Sequence, residues 1–249
     1  MEPTEALLPA FVPRPAQGRV FTPPERAVRS TDATPAGRLR LDAVARYLQE
    51  AAEDDLADAG LRERTVWLVR RFTLAIRGFP RLGERVSLAT FCSGTGPRWA
   101  ERTTTITGPG GADLIQSVAV WVAVTRADGR PAPMSENWHR VYGPAAAGRT
   151  VSARLSLPAP NAAVAGRPWP LRSTDFDTAG HVNNSVHWAA AEDALATVDW
   201  LPSAAQLEYH RPILPGTQPD LLISSDQPGQ VSAWLQSGPT RLASIHLTR

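Results

Sequence analysis

The sequence predicts an α+β protein built from two copies of one unit, each an antiparallel sheet wrapped around a helix. Three observations carry this. A ten-residue motif occurs twice, a helical pattern follows each occurrence, and strand-like runs follow each helix.

The motif reads RSTDATPAGR over residues 29–38 and RSTDFDTAGH over residues 172–181. The copies align without a gap at an offset of 143, the separation of Arg29 from Arg172, and six of ten positions are identical. Chance does not produce that density within one chain.

Behind the first motif, Leu41, Val44, Leu48, Ala52, Leu56 and Ala59 recur at three- and four-residue spacings. That stripe is an amphipathic helix, with Asp42 or a neighbour as cap and Gly60 as its end. Behind the second, Val186, Ala189, Ala190, Ala194 and Val198 repeat the stripe, and Asn183, Asn184 or Ser185 can cap it. Strand-like runs then cover 67–76, 84–92, 99–107 and 114–125 in the first copy, and 206–213, 220–224, 231–236 and 241–247 in the second. Valine at every second position from Val118 to Val124 gives one strand an apolar face, which the first helix is expected to cover. The GPGG at 108–111 is a turn.

These elements divide the chain into a first copy over 17–130, a linker over 131–165 and a second copy over 166–249. Pro, Ala and Gly enrich the joining stretch as far as Pro170, which reads as a surface linker. The two sheets are expected to meet edge to edge about a pseudo-twofold axis.

Composition narrows the function. A net charge of +2 over 249 residues gives no basis for nucleic-acid binding. All 26 basic residues are Arg, whose guanidinium suits an acidic partner carrying carboxylate or phosphate. The single cysteine, Cys92, excludes an internal disulfide and reads as a buried thiol. Residues 1–15 carry acidic groups and prolines where a signal peptide needs a basic start and an apolar run. No apolar stretch approaches the roughly 20 residues of a membrane span. A cytoplasmic protein without a membrane span is expected. GxSxG, HExxH and P-loop motifs are absent, and the histidines make no metal-binding pair, so no metal motif is present.

One loop carries chemistry. Asp175, Asp177, His181, Asn183 and Asn184 fall within ten residues at the start of the second helix. An imidazole beside a carboxylate can activate water near neutral pH, and a helix N-terminus can offer N–H groups to a developing oxyanion. Asp175 matches Asp32 in the first copy and reads as structural, whereas Asp177 and His181 stand where the first copy has Thr34 and Arg38. The same residues could instead brace the start of the helix, and spacing alone leaves both readings open. Glu192, on the second helix, reads as a solvated residue or a base.

The loop DTAGHVNN resembles that of the acyl-ACP thioesterase family of plants and bacteria. So do WLVRRF at 67–72, TFCSGTGPRWAER at 90–102, the VWV run before DGRP at 128–131, and LEYHRPI at 207–213, in the family's order through both halves. The resemblance implies a tandem hotdog fold and hydrolysis of a fatty acyl thioester on acyl carrier protein, in fatty acid biosynthesis, without metal or cofactor. It assigns catalytic roles to Asp177, His181 and Glu208. The family's Asn two residues before the histidine is replaced here by Ala179, a departure. Asn183 and Asn184 stand as substrate-binding amides or helix-start residues, and Leu48 and Ala52 are expected along the acyl tail. Trp67, Trp99 and Trp121 serve either the core or an acyl tunnel. An acidic acyl carrier protein or acyl-CoA is the expected partner, and a homodimer is left open. Two alternatives remain: an acyl-binding auxiliary protein with weak or no hydrolysis, and an acyl-CoA or polyketide-pathway thioesterase.

Overall fold

The computed structural model describes residues 13–61 and 65–249, so most of the N-terminal stretch read for a signal peptide lies outside the described residues. The elements run β1 (Val20–Phe21), β2 (Arg26–Ala27), α1 (Leu41–Asp58), β3 (Thr65–Ile76), β4 (Arg85–Thr95), β5 (Trp99–Thr107) and β6 (Asp113–Thr125). Then come α2 (Glu136–Ala146), β7 (Gly166–Pro168), α3 (His187–Leu195), β8 (Ala204–Tyr209), β9 (Asp220–Ser224), β10 (Gln230–Ser237) and β11 (Thr240–Thr248).

The strands form one antiparallel sheet in the order β1-β4-β5-β6-β3-β8-β11-β10-β9-β7, with β2 paired to β4. Read outward from the β3–β8 seam, the first copy runs β3-β6-β5-β4 and the second β8-β11-β10-β9, which is the pseudo-twofold arrangement expected of the repeat. Each half lays its helix on the sheet, giving the tandem hotdog. Leu41, Val44 and Leu48 of α1 and Trp188, Ala190 and Ala191 of α3 bury into one continuous core with Phe72, Leu74 and Leu207 of the seam strands. Small residues on α3 let the two helices approach over the seam.

Four expectations change. Valines 118, 120 and 124 are buried, but Ile115 and Ala119 are the β6 residues in the core around α1. Alternation therefore turns the valines to the opposite face. Both faces of β6 are apolar, so the pattern alone cannot say which one meets the helix. Residues 149–158 run over that far face: Arg71 donates to the Arg154 carbonyl at 2.7 Å, Trp99 Nε1 to Val151 at 2.8 Å and Trp234 Nε1 to Pro158 at 2.9 Å.

The stretch read as surface linker contains α2, capped by the Ser135 hydroxyl, which accepts the Trp138 N–H at 3.0 Å. Trp138 and Tyr142, one turn apart, bury against Cys92, Ala100 and Ala123. Its Pro-, Ala- and Gly-rich composition hides this apolar pair. Finally, Asp42 does not cap α1; its carboxylate holds Arg40 at 2.8 Å. Glu192 of α3 instead accepts the Leu41 N–H at 2.6 Å. Glu192 is thus neither solvated nor free to act as a base, because it also binds Arg38 at 3.0 and 2.5 Å.

Candidate active site

The motif folds alike in both copies. In the first, Thr34 N–H donates to Arg38 O at 2.7 Å and Gly37 N–H to Thr34 O at 2.8 Å; in the second, Asp177 N–H donates to His181 O at 2.9 Å and Gly180 N–H to Asp177 O at 3.0 Å. Gly37 and Gly180 take φ of 78° and 77°, the left-handed conformation that only glycine adopts without strain. Arg29 and Arg172 N–H groups donate to the Asp32 and Asp175 carboxylates at 3.2 and 2.8 Å. Those matched aspartates are anchors of the turn.

Asp177 extends this scaffold. Its Oδ1 accepts the Ala179 N–H at 2.9 Å and the His181 N–H at 3.4 Å. Thr34 Oγ1 accepts the Arg38 N–H at 3.2 Å in the corresponding place. Among the described residues, no bond joins the Asp177 carboxylate to the His181 ring. Asn183 Oδ1 accepts the Ser185 N–H at 2.9 Å, one turn ahead of α3. The N–H groups of Val186, Trp188 and Ala189 are satisfied by Asn183, Ser185 and Val186 carbonyls, so this helix start offers fewer free donors than expected.

His187 is buried, and its Nδ1 lies 3.1 Å from the Asn183 carbonyl. A carbonyl can only accept, so that bond fixes Nδ1 as the protonated nitrogen. Burial pulls its pKa down to about 4. The ring packs edge-on against Tyr209 with centroids 5.0 Å apart, and the Tyr209 hydroxyl donates to the Asn184 carbonyl at 3.0 Å. These contacts fix the backbone immediately after His181.

Two cavities meet at His181. The larger, about 980 Å³, extends from the loop residues Asp177, Ala179 and Asn183 to Ala52 and Leu56 of α1 and to Trp67, Trp121 and Trp138. The smaller, about 550 Å³, holds Arg70, Arg98, Arg211, His187 and His210 with the apolar Val122 and Val124. Leu68, His181, Val182 and Asn184 line both. The junction has a backbone cause. β3 pairs with β8 only from Arg71 to Ala75, with a bulge between Val69 and Arg71, so the start of β3 overhangs the seam. Leu68, on this overhang, lines both cavities.

Of the expected site residues, Asp177, His181, Asn183, Asn184 and Ala52 come together around the larger cavity. Leu48 does not join them; it is 2% exposed in the core beneath α1. Glu208 lines neither cavity, although its Oε2 lies 4.0 Å from Nε2 of His210, which lines the smaller one. Glu208 is fully buried, and its carboxylate accepts the N–H groups of Ser156 at 2.6 Å and Leu157 at 3.1 Å and the Gln206 amide at 3.0 Å. Leu207 and Tyr209 face the helices, so Glu208 between them faces the strap of residues 149–158. The neighbours that do line the smaller cavity, Tyr209, His210, Arg211 and Pro212, contain no carboxylate. Sequence spacing does not pick out Arg70, Arg98 and Arg211, which come from three separate segments. Burial pushes the Cys92 thiol up to about 11, leaving it inert beside the larger cavity. Among the described residues no group of His, Cys, Asp and Glu could hold a metal ion, and no helix is long and apolar enough to cross a membrane.

Comparison with known proteins agrees with the geometry. Residues 21–142 match the family model of the acyl-ACP thioesterase N-terminal domain. An uncharacterized protein of Mycobacterium tuberculosis strain H37Rv is 31% identical over 210 residues, covering 83% of each chain. The solved 12:0-ACP thioesterase of Umbellularia californica superposes with a TM-score of 0.79 at 18% identity, covering 93% of this chain and 97% of that one. An acyl-ACP thioesterase of Bacteroides thetaiotaomicron gives 0.72 at 13% identity, covering 92% and 97%. The chain belongs to the acyl-ACP thioesterase family and is a thioester hydrolase.

Proposed function

We propose that this hydrolase releases fatty acids from acyl carrier protein, with the thioester held at His181 where the two cavities meet. That junction is the observation that carries the reading. A thioester joins an apolar tail to a phosphate-bearing pantetheine arm. The larger cavity, with its tryptophans and Ala52, suits the tail. The smaller, with Arg70, Arg98 and Arg211, suits the arm and an acidic carrier.

In this reading water attacks the thioester carbon while the His181 imidazole takes its proton. The Asn184 amide donates to the oxygen as it gains charge. Collapse breaks the C–S bond, and His181 returns the proton to the departing thiolate, leaving a fatty acid and a carrier thiol. Asp177 holds the turn that presents the histidine, and Asn183 holds the following turn through Ser185.

The test is thiol release from a panel of acyl-ACP and acyl-CoA substrates of graded length. A kcat/KM at least tenfold higher on acyl-ACP supports the reading. An equal or reversed preference makes acyl-CoA the substrate, and no release from any thioester overturns hydrolysis at this site.

A further inference from the structure

We propose that Gln49, on the helix of the first copy, is the positioning residue that orients the His181 imidazole across the boundary between the copies. The inference rests on the hydrolytic reading above and deepens it.

The repeat supplies the argument. The offset of 143 that relates the two motifs persists through the helices. The α3 residues His187, Trp188, Ala190, Ala191, Ala194 and Leu195 are buried, and so are their α1 counterparts Val44, Ala45, Tyr47, Leu48, Ala51 and Ala52. By the same offset His181 corresponds to Arg38, and Gln49 corresponds to Glu192. These two counterparts are bonded across the boundary between the copies: Arg38 grips both Glu192 oxygens, at 3.0 and 2.5 Å. The motif residue of one copy therefore reaches the helix of the other. Under the pseudo-twofold, the helix position that faces His181 is Gln49.

Gln49 has the right atom unused. Its Nε2 donates to Glu53 at 3.0 Å, which fixes the amide so that Oε1 is the acceptor turned inward. That oxygen is buried and has no hydrogen-bond partner, although buried acceptors are ordinarily satisfied. Gln49 lines the same large cavity as Asp177, His181 and Asn184. Meanwhile Asp177, the expected orienter, spends Oδ1 on the backbone of its own turn. Hydrogen bonds of a catalytic group are often made only once substrate fills the site. A ring N–H of His181 donating to Gln49 Oε1 would leave the other ring nitrogen free to take the proton of water.

The amide also has a chemical advantage over the carboxylate in the matched position. A carboxylate beside the ring would favour imidazolium and withhold the base near neutral pH. The larger cavity already presents Glu53, Glu101, Arg102, Arg126, Asp177 and Cys92 towards this space. From the smaller one come Arg70, Arg98, His187, Tyr209, His210 and Arg211. All but Glu53, which loses the Gln49 Nε2 bond, keep their partners in a Gln49 variant, so a shift that Glu53→Gln does not reproduce reports position 49.

The test measures kcat and KM from pH 5 to 9 for full-length wild type, Gln49→Leu and Gln49→Glu, on whichever thioester wild type hydrolyses fastest. Gln49→Leu is expected to lower kcat by about 10- to 100-fold with KM within about twofold and an unchanged or raised melting temperature. Gln49→Glu keeps an acceptor; its kcat should recover to within about tenfold at high pH, with the acidic limb of the profile moved up by about one unit or more. Wild-type kcat in Gln49→Leu overturns the proposal. If that variant fails to fold, the Gln49→Glu profile decides, and an unmoved acidic limb overturns it equally. A wild type inactive on every thioester removes the hydrolytic reading and this inference with it, whereas an active wild type with indifferent variants removes this inference alone.

Discussion

The Asp177 carboxylate accepts the backbone N–H of Ala179 at 2.9 Å, so the acidic residue expected to work on His181 is engaged in shaping the turn that carries it. An asparagine side-chain oxygen can accept the same bond; an alanine cannot. We therefore expect His181→Ala and Asp177→Ala each to lower kcat by about 10²-fold or more, and Asp177→Asn to retain most of the activity that Asp177→Ala loses. Steady-state kinetics on the preferred thioester check this. An Asp177→Asn variant as inactive as His181→Ala would mean that the charge, not the turn, is what the reaction uses.

Ala52 is 8% exposed and is the small α1 residue facing the larger cavity. Phenylalanine there fills space that the tail needs. Ala52→Phe should move the chain-length optimum to shorter acyl groups while hydrolysis of the shortest substrates stays near wild type. Competition assays over graded chain lengths read this directly, and an unmoved optimum in a folded variant places the tail elsewhere.

Glu208 distinguishes resemblance from geometry. Its two oxygens hold the Ser156 and Leu157 N–H groups, and glutamine would set an NH2 group against one of those donors. A buried polar group left unsatisfied costs roughly 1–3 kcal/mol. Glu208→Gln should accordingly lower the melting temperature while kcat stays within about tenfold of wild type. Loss of turnover with an unchanged melting temperature would restore Glu208 to the chemistry.

His187 makes the fold sensitive to acid. Burial holds its pKa at about 4 in the folded chain, against 6.5 for the free group. Between those values the unfolded chain binds a proton that the folded one does not, so stability falls as pH drops from about 6.5 to 4 and is unaffected above. The span corresponds to an effect on the order of 3 kcal/mol. His187→Gln, still able to donate to the Asn183 carbonyl, should flatten that part of a denaturation-midpoint profile. His210 lies near 4 as well, from burial first and then the nearby Arg241 and Arg70, and keeps some acid dependence in the variant.

The sequence by itself determined the repeat, the two helices, most of the strands, the family, and the loop from Asp177 to Asn184. All of these are local: a motif recurs at a fixed offset, or apolar residues recur with the period of one element. The tertiary structure alone decided which face of each element is used. The alternating valines read as a core face, yet β6 is apolar on both sides and turns Ile115 and Ala119 to α1. Trp138 and Tyr142 read as part of a linker because their partners Cys92 and Ala123 belong to distant strands. Glu208 sits in a matching motif, but its carboxylate is taken up by the N–H groups of Ser156 and Leu157 in the strap of residues 149–158. Conversely, Glu192 and Gln49 carry no local signal, because each acts across the pseudo-twofold on the other copy. Spacing encodes periodicity within an element; which side of that element meets which neighbour is fixed only when the two sheets join along β3 and β8.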